Sequence, residues 1–95
     1  MLTGDYEDGE FELQSAVARG LVSNLSVKCR ESIEGSLAVG EGTLALEDAA
    51  HFVEFYGATV SPRVFDALKT LVRDYPRRSL PALIETLRTR VEPTH

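Results

Sequence analysis

The chain has 95 residues, with ten Lys+Arg, fifteen Asp+Glu, two His, one Cys and no Trp, for a net charge of −5. That length supports one hydrophobic core and one domain, 1–95, and buries only about two-thirds of the surface the unfolded chain exposes. A hydrophobic content of 43 % beside 26 % charged residues is that of a folded globular domain, not of a disordered chain.

A single Cys excludes an internal disulfide. One Cys and two His, the second being the last residue, cannot fill a tetrahedral zinc site within one chain. No apolar stretch approaches the ~20 residues of a membrane span, so no membrane association is expected. The opening Met1-Leu2-Thr3-Gly4-Asp5 has neither the basic nor the apolar region of a signal peptide, and the expected compartment is the cytoplasm. Arg outnumbers Lys eight to two, a bias that fits a GC-rich bacterial or phage genome.

The charge is uneven. Residues 1–60 hold eleven acids and three bases; residues 61–95 hold four acids and seven bases. Asp5, Glu7, Asp8, Glu10 and Glu12 all precede the first base, Arg19. Such a run reads as a solvated acidic arm over 1–9.

From 11 to 39 the apolar residues alternate: Phe11, Leu13, Val17, Leu21, Leu25, Val27, Cys29, Ile33, Leu37 and Val39 stand at odd positions, and Val22 is the one large apolar residue at an even position. Period two is the pattern of strands with one buried face. It predicts an antiparallel meander of two or three strands within 10–39, roughly 10–18, 21–30 and 32–39. The breaks fall at Arg19-Gly20, Glu31-Ser32 and Gly40-Glu41-Gly42. The rival is a single long helix, because Leu13, Val17, Leu21, Leu25, Cys29 and Ile33 also recur every four residues. A strict four-step drifts about 40° per repeat around a helix, and Gly20, Ser23, Asn24 and Ser26 are poor interior helix formers. Strands are therefore favoured, with a helix over 12–19 as the local alternative.

After residue 44 the period becomes helical. Leu46, Ala49, Ala50, Phe52, Val53 and Tyr56 share one arc of a helix near 45–56, and Gly57 stops it. Ser61-Pro62 opens a second helix near 62–75, with Val64, Phe65, Leu68, Leu71, Val72 and Tyr75 as its stripe. Ser79 caps a third, near 79–91, and 92–95 is a frayed tail. The fold expected is α+β: a meander covered by three amphipathic helices. An all-α four-helix domain is the alternative.

No residue set reads as a catalytic or metal centre, and no cofactor is implied. His51 stands one turn from Glu47, a base-and-orienter pair on paper, but it has no nucleophile at a recognisable spacing. Cys29 falls on the inward phase of its expected strand and reads as a small buried hydrophobe. Gly40-Glu41-Gly42 is too short for a phosphate loop, and its acid would repel phosphate. Asp5-Tyr6-Glu7-Asp8-Gly9-Glu10 resembles a calcium loop only in composition.

Two features stand above this background. Phe55 points into the charged arc of its helix, among Glu47, His51 and Glu54; it is either an interface anchor with a polar rim or a residue packed under a strand or loop. The C-terminal third carries a basic set, Arg73, Arg77, Arg78 and Arg88, suited to phosphates or to an acidic protein surface. The expected function is a small non-enzymatic regulator or inhibitor that binds a protein partner, in the manner of an adaptor, an antitoxin or a phage antagonist. A dimeric DNA- or RNA-binding regulator using the basic helices is the alternative. A homodimer is expected on either account, from the apolar surface a domain this small leaves uncovered, from an open sheet edge and from the pairing of acidic and basic surfaces.

Overall fold

The computed structural model describes residues 3–93 in backbone and, from Gly9, in side chains. Among the described residues five helices follow one another: α1 (Thr3–Leu21), α2 (Val27–Ala38), α3 (Gly42–Tyr56), α4 (Pro62–Asp74) and α5 (Leu80–Arg88). The expected α+β meander is overturned. Residues 10–39 form two helices, and the described residues contain no sheet, only an isolated parallel bridge between Val60 and Val91.

The physical reason lies in the odd-numbered series itself. Its apolar weight sits on every second member: Leu13, Val17, Leu21, Leu25, Cys29, Ile33 and Leu37. The members between them are Ser15, Arg19, Ser23, Val27, Glu31, Gly35 and Val39, and all but Ser15 are exposed. The true period is therefore nearer four than two. One unbroken helix does not form either. The chain turns at 22–26, where the Ser23 hydroxyl donates to the Gly20 carbonyl (3.0 Å) and the Leu25 amide to Val22 (2.9 Å). The turn resets the helical phase, so the four-step drifts over two steps in α2 rather than five. The segment expected as an acidic arm is helical from Thr3; Met1 and Leu2 lie outside the described residues.

Two helices end alike. At α2, Gly40 is left-handed (φ 78°), its amide donates to Leu37, and that of Glu41 donates to Ser36. At α3, Gly57 (φ 65°) donates to Glu54 and Ala58 to Val53. Both are Schellman closures, in which a residue without Cβ takes the left-handed turn at no steric cost. Gly40-Glu41-Gly42, expected as a break after the last strand, is thus a helix-to-helix turn. At the far end, Val60 accepts from the Glu92 amide (2.8 Å) and donates to Arg90 (2.9 Å). The expected frayed tail is held as far as Glu92, and Thr94 and His95 lie outside the described residues.

Helix α3 is central, packing on α1, α2 and α5; α4 packs on α1 and α5. The core draws on every helix: Val17 and Leu21 of α1, Ile33 and Leu37 of α2, Leu46 and Val53 of α3, Leu68 and Leu71 of α4, Leu80 and Leu87 of α5. Small residues let α3 sit in the middle. Ala45, Ala49 and Ala50 on its inward side are each at most 2 % exposed.

Candidate functional site

The buried arc of α3 (Ala45, Leu46, Ala49, Ala50, Val53) leaves the opposite face to solvent. At 100° per residue, Leu44, His51 and Phe55 lie within about 20° of one line along that face. Phe55 is 71 % exposed, Tyr56 59 % and Leu44 45 %. The Phe55 ring meets Tyr56 edge-on (centroids 4.9 Å) and stacks with His51 (6.2 Å), while Phe52 lies 6.5 Å from Tyr56. Four rings thus form one patch at the C-terminal end of α3, with Phe52 its half-buried root.

The acids stand around it. Glu54 is exposed, and Glu47 and Asp48 are half-buried. Glu47 and His51 make no hydrogen bond or ion pair with each other among the described residues, so the base-and-orienter arrangement is not formed. Among the described residues, no group of three or more His, Cys, Asp or Glu could hold a metal ion. Tyr56, expected on the core arc, is at the surface because α3 ends there and Gly57 turns the chain away. The contributions of Tyr56 and Leu44 were missed in the sequence. Their signal was available: Leu44, His51 and Phe55 repeat at seven and four residues.

Three of the four arginines of the basic set are paired with acids. Arg77 donates through Nε and Nη2 to both oxygens of Glu10 (2.7 and 2.6 Å), and the Glu10 side chain is only 8 % exposed. Arg73 pairs with Asp74 (2.9 Å) and Arg88 with Glu85 (3.1 Å), while Arg78 is exposed. The Glu10–Arg77 clasp ties α1 to the turn between α4 and α5. It borders an open cleft of about 520 Å³ between α1 and the α2–α3 turn. There Gln14, 6 % exposed, donates to the Thr43 hydroxyl (3.2 Å). Bidentate pairing in a partly buried position is among the stronger polar contacts available to a protein.

Cys29 is buried, but on a helix rather than a strand. It sits in the first turn of α2, where its amide donates to the N-cap Ser26 hydroxyl (3.4 Å). No described helix is long and apolar enough to cross a membrane. Fold and surface together define a small five-helix domain with an exposed aromatic helix face. No protein-family model, no curated protein and no solved structure matches the chain.

Proposed function

We propose that this is a non-enzymatic protein-binding domain, a regulator or inhibitor acting by stoichiometric contact through the outward face of α3. The observation that carries this reading is the clustering of Phe55, Tyr56 and His51 in solvent. A folded chain gains nothing from holding two large aromatic side chains more than half exposed unless something covers them, and aromatic anchors with a polar rim are the usual energetic centre of an interface. We place the protein in the cytoplasm, where a lone thiol such as Cys29 stays reduced.

The nucleic-acid alternative has less support. Three of its four arginines are engaged with acids, and one of those, Arg77, is tied to a nearly buried carboxylate. The homodimer expected from a sheet edge loses that basis, because the described residues contain no sheet.

The test is affinity capture from a lysate of the source cells, with and without nuclease, using wild type, Phe55→Ala and Arg78→Glu. A protein retained by wild type and Arg78→Glu, lost with Phe55→Ala and indifferent to nuclease fits the proposal. The expected loss is about 2 kcal/mol or more in the purified complex. Recovery that needs nucleic acid, is lost with Arg78→Glu and falls steeply with salt would support the alternative instead.

A further inference from the structure

We infer that the partner segment received by the α3 face is a positively charged amphipathic helix: apolar anchors spaced over three turns, with Lys or Arg along one edge. The inference rests on the protein-binding reading and adds the chemistry of the partner. Between Arg30 and Arg63 the chain carries Glu31, Glu34, Glu41, Glu47, Asp48 and Glu54 and no Lys or Arg. Among the described residues only Glu34 of these six is ion-paired, to Arg19. Glu47, Asp48 and Glu54, the acids beside the aromatic patch, are in no ion pair among the described residues.

The arrangement on the helix is directional. Glu47 and Glu54 stand about 60–80° to one side of the Leu44–His51–Phe55 line, and Phe52 and Tyr56 about 80–120° to the other. The line itself spans about 16 Å from Leu44 to Phe55. A partner helix laid along it meets apolar side chains at both ends, Glu47 and Glu54 on one flank, and on the other the aromatic rings with Asp48 between them and the line. Anchors at i, i+4, i+7 and i+11 match that length. Basic side chains on the acid flank would be drawn to unneutralised carboxylates and would set the register. A second copy of this chain is a poor occupant, since a two-fold contact sets Glu47, Asp48 and Glu54 against their own duplicates. Nucleic acid is repelled by the same acids.

The experiment is selection of a phage-displayed library of random 16-residue peptides on the full chain. Selected peptides are then titrated in solution against wild type, Phe55→Ala and Glu47→Lys/Glu54→Lys. A single Trp placed in each peptide reports binding cleanly, because the chain has none. Peptides with a net positive charge and helically spaced apolar residues are expected. Phe55→Ala should weaken them at least tenfold, as should the charge reversal, and both variants should keep the wild-type circular dichroism spectrum. Binders that depend on Phe55 but are neutral or acidic would overturn the inferred partner chemistry and leave the docking reading standing. Binders indifferent to Phe55, or none, would overturn both. So would self-association in sedimentation equilibrium that Phe55→Ala abolishes, which would seat a second copy on the face.

Discussion

Single side chains at helix starts differ here in ways that three serines make measurable. Ser61 accepts from the Val64 amide (3.2 Å) in extended geometry, and Pro62 follows it at the first helical position. Ser61→Ala should cost about 1 kcal/mol. Ser26 does the same for α2, accepting from Cys29, and Ser26→Ala should cost about as much. Ser79 looks identical in sequence but has helical dihedrals (φ −86°, ψ −15°) and no side-chain cap bond. Ser79→Ala should stay within about 0.5 kcal/mol of wild type. Chemical denaturation of the three variants checks the order. Phe55→Ala belongs with the last of them, since a side chain mostly in water has little burial to lose. Gly20 runs the other way. A Cβ there would approach Val64 Cγ2 at 2.7 Å, so Gly20→Ala should destabilise the fold even though alanine is the better helix former.

Between elements, two ion pairs do different work. Glu10–Arg77 joins α1 to the α4–α5 turn across most of the chain, and its carboxylate is nearly buried. Arg77→Ala leaves that carboxylate uncompensated and should cost about 1–3 kcal/mol, the arginine end being half exposed. A double-mutant cycle with Glu10→Gln reads the coupling directly. For the same reason Arg77 is a poor probe of phosphate binding, and Arg78 is the better one. Arg19–Glu34 joins α1 to α2 at the surface. Its two hydrogen bonds hold the Glu34 carboxyl below its ordinary value of 4.5 and raise the Arg19 guanidinium. A carboxylate depressed in the folded state adds stability above its ordinary value and loses it as pH falls through the folded one. The advantage of wild type over Glu34→Gln should be constant above pH 4.5 and shrink below it. It should also fade in high salt. Denaturation midpoints measured across pH 2–7, a range set on the order of the carboxylate titration, show whether it does.

The whole molecule is a helical body of 43 × 28 × 23 Å organised on α3. Circular dichroism should show helix over well more than half the chain and no strand component. The three C-terminal helices were legible in the sequence because Phe65, Leu68, Leu71 and Val72, or Leu80, Leu83, Ile84 and Leu87, repeat at three and four with no competing period. The first two helices were not. In 11–39 the large apolar residues are few and the gaps between them hold Ser, Ala and Gly, so a four-residue spacing also satisfies a two-residue test. The buried residues that break the tie are Gln14, Ala18 and Val22 on the supposed polar face; one is polar, one small, and Val22 stands alone as a large apolar residue there.

Phe55 among acids, Gly57 as a stop, Ser61-Pro62 as a start and a negative N-terminal two-thirds all follow from composition and local chemistry, because caps and helical stripes act over one or two turns. Packing alone set the rest. Which side of residues 11–39 is buried depends on where α3 and α4 lie against them, and no local preference of Ser, Gly or Ala could choose it. The Glu10–Arg77 clasp joins residues 67 apart, and it makes Arg77 a structural tie. Tyr56, on the core arc by periodicity, is exposed because α3 ends there and the chain turns away at Gly57.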